Sequence, residues 1–377
     1  MTVYLDNAAT TPMAAEVIES MIDVMKNDYG NPSSIHSFGR NAKAIIENSR
    51  RKIAEIIGSE PKEIIFTSGG TEADNMAILC SVLDLGVKHI ITSAIEHHAV
   101  VHSCEAAGIK HQVKISLVNV DSKGNVDLAH LVELLEGTAE KTLVSLMHAN
   151  NEIGTLLPVQ KVAEICKKYN ALFHSDTVQT LGHYDIKVED LGIDFLTCAA
   201  HKFHGPKGVG FLYFNKNLQF KPFIEGGAQE RGLRGGTENI SGIVGLTKAL
   251  ELATSEIEEH KKHVQSLKNY MISELTSKIN GVQFHGQTEP SKSLYTVLNV
   301  CFPPFDKQDM LLFMMDLEGV ACSGGSACTS GANTGSHVLR GIGADTTRSN
   351  IRFSFSRFTK IKEVEFAIEK LVKIINS

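Results

Sequence analysis

Three short segments of this 377-residue chain each end an apolar run on residues that could do chemistry. The first is Phe66-Thr67-Ser68-Gly69-Gly70-Thr71-Glu72, where a strand-like run passes through two glycines into a helical pattern. Free backbone N–H groups at such a helix start, with the Thr71 hydroxyl, suit phosphate or another anion. The same residues are also ordinary for any strand-to-helix turn. In the second segment, Leu172 to Gln179, Asp176 stands where a buried strand should end. A carboxylate there either caps a helix or needs a cation or a protonated ring nitrogen as partner. The third, Thr197 to Gly208, sets Lys202 after an apolar strand and before a Gly-Pro turn. A lysine held in a cleft has a depressed pKa and attacks carbonyls. His201 and His204 at i,i+3 could be read as metal ligands, but no carboxylate or cysteine completes a set, so no metal is expected.

Taken together, these are a phosphate cradle, an acid for a pyridinium nitrogen and a Schiff-base lysine, in that order on successive strand ends. Those are the parts that pyridoxal phosphate requires. A fourth stretch, Ala321 to His337, holds four glycines, four serines, two threonines and two of the seven cysteines. Such a composition cannot pack a core and predicts a mobile surface loop. Free cysteines are usually buried and inert, so Cys328 is oddly placed. It is either an incidental part of a linker or a nucleophile that must travel.

The elements that position these residues follow from periodicity. Strand-like runs at 63–67, 89–92, 113–118, 142–147, 171–174, 195–198 and 209–214 alternate with helical patterns at 73–85, 99–107, 128–136 and 159–169. That alternation predicts an α/β fold with a largely parallel sheet covered on both faces, and ligands at the carboxyl ends of its strands. Pro12 opens a helix carrying Val17, Ile18, Met21, Ile22 and Met25, and a second helix runs from about 39 to 57. One long helix is expected over 239–278. After it comes a smaller α/β unit with strands 295–301 and 350–355 and helices 307–317 and 360–375. We expect a large domain over 15–255 and a small C-terminal domain over 256–377 that carries the cysteine loop and is joined by the arm 1–14.

Bulk properties exclude several classes. Lysines and arginines number 37 against 43 acids, a formal charge of −6 with a pI near 6.2, so no nucleic-acid footprint is expected. No apolar run approaches the roughly 18 residues that cross a bilayer, and no basic-then-apolar leader follows Met1. No membrane association is expected. Scattered cysteines without a CxxC pair point to reduced thiols and a cytoplasmic location.

The segments LDNAATTP (5–12), GNPSSIHSFGR (30–40), FTSGGTEADN (66–75), EHHAV (96–100), HANNEIG (148–154), HSDTVQT (174–180), AHKFHGPKG (200–208), ERGLRGGTEN (230–239), SGGSACTSG (323–331) and IRFSFSRF (351–358) resemble those of the cysteine desulfurases. These are pyridoxal-phosphate enzymes of the class-V aminotransferases. The resemblance implies an aspartate-aminotransferase-like fold with a seven-stranded sheet. It also implies conversion of L-cysteine to L-alanine, with sulfur taken up by Cys328 as a persulfide and passed to an acceptor protein, an iron–sulfur scaffold or a tRNA-thiolation protein.

It further implies that Lys202 carries the cofactor and moves the Cα proton, and that Asp176 pairs with the pyridinium nitrogen. His97 would stack on the ring and shuttle protons. Asn151 and Gln179 would bond substrate or the cofactor's O3′ side. Gly70, Thr71 and His201 would hold the phosphate, with Thr237 reaching in from the second subunit of a homodimer. Arg352 would clamp the substrate carboxylate, a task for a planar guanidinium fork.

Two departures stand out. Ala199 occupies the position, two before His201, where the family usually has a serine; the lost hydroxyl costs about 1 kcal/mol of cofactor affinity. The sequence also ends at Ser377, without the extension some members use to dock the scaffold. Open alternatives are a selenocysteine lyase-like relative on the same fold, a cofactor-binding protein without turnover, or a zinc module using Cys322 and Cys328. Cys322 itself is either a packed strand residue or a second thiol able to resolve a persulfide.

Overall fold

The computed structural model describes residues 1–324 and 335–376, so the expectations placed on Cys328 lie outside the described residues. A two-residue strand β1 (Val3–Tyr4) precedes the strands of the main sheet. These are β2 (Ile64–Thr67), β3 (His89–Ser93), β4 (Lys114–Val118), β5 (Thr142–Ser145), β6 (Leu172–Asp176), β7 (Phe195–Ala199) and β8 (Gly210–Phe214). Their order across the sheet is β2-β8-β7-β6-β5-β3-β4. β8 runs antiparallel to both neighbours and every other pair is parallel. The exception has a simple cause. A parallel crossover needs about a dozen residues or more, usually a helix, whereas Ala199 and Gly210 are joined by one 3-10 turn.

Strands β3, β5, β7 and β8, and even the edge strand β2, are buried along their whole length. They are apolar on both faces because helices cover both faces. On one side Gly70–Leu83 and His98–His111 pack Met76, Ala77, Val100 and Cys104 against Ile65, Ile90, Leu143 and Leu212. On the other, residues of Ser37–Ile57, Val159–Lys168 and Ile240–Ser255 close over Phe66, Ile91, Val144, Phe173 and Leu196.

A second core gathers Val3 and Leu5 with apolar residues from Val264 onward. There β9 (Gln283–His285), β10 (Val297–Cys301) and β12 (Asn350–Ser354) form an antiparallel sheet, and β11 (Val320–Ala321) pairs in parallel with β1. The arm spans both units. Asn7 N–H donates to Ser354, while Thr11 and Ala14 N–H donate to the carbonyls of His201 and His204.

The expected single helix over 239–278 is two helices, Ile240–Ser255 and Ile257–Lys278, broken at Glu256 (φ −131°, ψ 35°). Thr254 Oγ1 bonds the Leu250 carbonyl and Ser255 Oγ that of Leu252, the local bonding by which hydroxyl residues compete with helix continuation. The expected helix 307–317 starts as a 3-10 turn, Gln308–Met310, and continues as Leu311–Leu317. Among the described residues no helix is long and apolar enough to cross a membrane.

Candidate active site

The carboxyl ends of β2, β3, β5, β6 and β7 converge on a cavity of about 230 Å³. Nine of the sequence candidates line this cavity, and each is placed by a local feature; Cys328 lies outside the described residues.

At one end is the turn after β2. Gly69 has φ +151°, and a Cβ on Gly70 would come within 2.9 Å of Val178 Cγ2. Glycine is therefore required here for the helix to begin against the sheet. That helix has no side-chain cap, which leaves its first N–H groups without a side-chain acceptor, and Gly70 and Thr71 both line the cavity. His201 joins them; its Nδ1 lies 3.2 Å from Thr10 Oγ1, and burial with nearby lysines holds the ring at about 4, hence neutral. In the tautomer whose Nδ1 accepts from the threonine hydroxyl, Nε2 is the ring atom left to donate. Ala199 also lines this end and offers only a methyl group.

Asp176, which also lines the cavity, closes β6 and is 6% exposed. Its Oδ1 accepts from the Val178 N–H at 2.9 Å. Burial and the neighbouring Asp74 push its pKa up to about 7, against the opposing bond from Val178 and the charge of Lys202. Asp74 was not singled out by sequence. It is 1% exposed, burial raises it to about 8, and its Oδ1 has no hydrogen-bond partner although His174 Nε2 is 3.4 Å away. His174 is held neutral by burial, at about 4, so the contact is not an ion pair. One atom each from Asp74, Asp176 and His97 lie within 4.8 Å of one another. Two carboxyls buried this close together constitute an unmet electrostatic need.

His97 caps the helix His98–His111, its Nδ1 accepting from the Ala99 N–H at 3.2 Å. Burial, then Lys202 and the histidines around it, lower its pKa to about 4. The imidazole is therefore neutral with its proton on Nε2, able to give or take one proton. Lys202 ends the 3-10 turn after β7, and its Nζ donates to the carbonyls of Ala8 (2.6 Å) and Ala9 (2.8 Å). Gln179 Nε2 donates to the same Ala8 carbonyl at 3.1 Å. The arm thus supplies the seat for the lysine, a role that no property of two alanines announces.

Arg352 lies in β12 and is 1% exposed. Its Nη1 donates to the Asn151 carbonyl (2.9 Å) and its Nη2 to Asp6 Oδ1 (2.8 Å), while Nε is buried without a partner. Asn151 lines the cavity beside it. Thr237 does not reach this cavity; it borders a separate groove behind the turn, with Thr67, Ser68 and Arg234. His204 Nδ1 is bonded to the Pro12 carbonyl at 2.8 Å, which ties this histidine to the arm. Cys322 is half-buried against the second core, and burial pushes its thiol up to about 12, which favours the packed reading over a reactive thiol.

A larger cavity of about 740 Å³ lies at the amino ends of the strands, lined by acids and lysines of mixed sign and by none of the candidates. The convergent candidate groups line the smaller one instead.

A family model for class-V aminotransferases matches residues 3–366. A cysteine desulfurase IscS of Dictyoglomus turgidum is 44% identical over 99% of this chain and 94% of its own length. One from Methanosarcina thermophila is 42% identical over 99% and 92% respectively. Among solved structures, a NifS-like protein superposes with a TM-score of 0.91 at 37% identity, covering both chains fully. A NifS-like protein from Rickettsia africae gives 0.89 at 35%, again over both whole chains.

Proposed function

The chain belongs to the cysteine desulfurases of the class-V aminotransferase family, and from that premise we propose that its carboxyl-end cavity binds pyridoxal 5′-phosphate and L-cysteine through the residues described above. The enzyme is pyridoxal-phosphate-dependent and releases L-alanine while sulfur passes to an acceptor. The observation that carries the assignment of roles is the convergence of an uncapped helix start, a pair of buried carboxyls, a lysine and a buried arginine on one cavity. The residues fit both the phosphate and the ring of the cofactor. The phosphate end is a cradle that a Cβ on Gly70 would fill. The same cavity holds the orphaned Oδ1 of Asp74 beside Asp176, matching a protonated ring nitrogen.

When bound, the cofactor supplies an electron sink for the bonds at the substrate Cα. Gly70, Thr71 and His201 would hold the phosphate oxygens. Asp176, with Asp74 behind it, would keep the ring nitrogen protonated. Lys202 would hold the cofactor covalently and carry the Cα proton, its reach set by the Ala8 and Ala9 carbonyls. Neutral His97 would pack on the ring face and move a proton through Nε2. Asn151 and Gln179 would fix the ring's oxygen side and the substrate. Arg352, already oriented by Asp6 and Asn151, would clamp the carboxylate of L-cysteine.

Cys328 takes the sulfur as a persulfide in this reading. Support comes from the described residues that flank it. Ser323 forms a β-bridge to Arg352, and Ser336 Oγ donates to Glu152 Oε2 at 2.5 Å, so the chain leaves and re-enters beside the substrate end.

We further propose a homodimer in the cytoplasm, with domains 15–255 and 256–377. Thr237 lies outside its own chain's cavity, and Ile18, Ile22, Met25, Tyr29, Ile35 and Phe38 are exposed apolar side chains, Ile35 being 91% exposed. Such a patch suits burial against a second copy. The free cysteines among the described residues suit a reducing compartment.

The test is alanine release and persulfide formation from L-cysteine by purified protein loaded with pyridoxal phosphate. Wild-type protein that binds the cofactor yet yields neither product would refute the reading.

A further inference from the structure

One acid sits where an anion site should not tolerate it. Glu72 is in the first turn of the helix Gly70–Leu83, beside Thr71, with its side chain 10% exposed. Its Oε2 accepts from the Ser68 N–H at 2.9 Å, which fixes the turn after β2. Burial acts to raise its pKa, but bonds from Arg234 and Ser68 outweigh it and hold the group below the ordinary carboxylate range. Glu72 is therefore a full negative charge next to the N–H groups assigned to a phosphate. A carboxylate in that turn satisfies the helix dipole by itself and repels a second anion.

Arg234 answers it with a two-pronged contact, Nε to Oε1 at 2.8 Å and Nη2 to Oε2 at 3.1 Å. The loop that delivers Arg234 is held in a costly conformation. Glu230 and Arg231 are consecutive non-glycine residues at positive φ, 45° and 57°. Such backbone persists only where surrounding bonds over-determine it. Here the buried Glu230 carboxylate accepts from Arg50 Nη1 and Nη2, both at 2.7 Å, and from the Phe66 N–H at 2.8 Å. Phe66 is in β2, the strand that ends in the phosphate-facing turn. The strained loop thus grips that turn from two sides, by β2 through Glu230 and by the first helical turn through Arg234.

Resting on the pyridoxal phosphate reading above, we propose that Arg234 is a positioning residue for anion binding. It neutralises Glu72, so that the N–H groups of Gly70 and Thr71 stay available to the cofactor phosphate while Glu72 keeps the turn in shape.

The test titrates cofactor-free full-length protein with pyridoxal 5′-phosphate and with pyridoxal, which lacks the phosphate. Arg234→Gln should weaken pyridoxal phosphate binding about tenfold and change pyridoxal binding less than about twofold. Adding Glu72→Gln should restore pyridoxal phosphate affinity to within about threefold of wild type, because the uncompensated charge is gone. Arg234→Lys, which keeps the charge and loses the fork, should retain most of the affinity. Equal weakening for both ligands in Arg234→Gln, or a double variant no better than the single, would show a merely structural brace and overturn the inference. Wild-type protein that prefers pyridoxal phosphate no more than pyridoxal would overturn the anion-site reading, and this inference with it.

Discussion

The two ends of the main sheet carry two cavities whose sizes run opposite to the unmet polar groups they hold. The amino-end cavity is about 740 Å³, more than three times the 230 Å³ of the carboxyl-end one. Its walls include Glu60, Glu63, Asp194, Lys167 and Lys216, and these acids and cations largely satisfy one another or the backbone. Lys216 bonds Glu60 at 2.5 Å, Asp194 takes the Phe173 N–H at 2.9 Å, and Glu63 takes the Lys216 N–H at 2.9 Å. At the carboxyl end the polar groups are left in need: Asp74 Oδ1 and Arg352 Nε are buried and unpartnered, and a helix start is uncapped. Size measures room for water, whereas unmet donors and buried charge measure what a ligand would gain.

This contrast can be broken most decisively at Lys202. Lys202→Ala should lower alanine release by about 1000-fold or more, and mass measurement after borohydride reduction should find no attached cofactor. Retained attachment would move the covalent role elsewhere. Cys328→Ala should keep cofactor attachment and lose persulfide and sulfide production, with turnover down about 100-fold or more; full sulfur release from that variant would refute the proposed acceptor.

A smaller effect is expected where binding rather than bond-breaking is touched. Arg352→Lys keeps a charge but not the fork bonded to Asp6 and Asn151, and should lower kcat/KM for L-cysteine about 10- to 100-fold, mainly through KM. An unchanged KM would argue that another group holds the carboxylate.

The stability cost of the unmet need is also measurable. Asp176 titrates near 3.8 when unfolded and about 7 when folded without cofactor. Between those values the folded state binds the extra proton, so this group's contribution to stability falls as pH rises from about 4 to 7 and is level above. Cofactor-free Asp176→Asn should therefore melt higher than wild type at pH 8, by a few degrees, with the gap closing towards pH 4. A gap that widened on acidification would contradict the burial argument. Smallest of all, Lys167→Ala in the larger cavity should leave kcat and KM within about twofold. A tenfold change there would mean that the amino-end cavity communicates with the reaction.

Much of this was written in local sequence. Alternating apolar runs determined a sheet sandwiched by helices, and glycine in Ser68-Gly69-Gly70-Thr71 determined an open helix start, because only glycine fits against Val178. Asp176 and Lys202 were legible as polar residues ending apolar strands, and the quoted segments carried the family. Other features depended on partners far away in the chain. That Lys202 rests on Ala8 and Ala9, that Arg352 is oriented by Asp6 and Asn151, and that Asp74 stands behind Asp176 are contacts across large sequence separations. The exposed face of Ala15–Asn27 was likewise invisible, since periodicity shows an apolar stripe but not what covers it. Sequence determined which groups stand at strand ends, because strand and turn preferences are local. Only the tertiary structure decided which of those groups are left unpaired in a common cavity, because burial and partnership are properties of the whole packed chain.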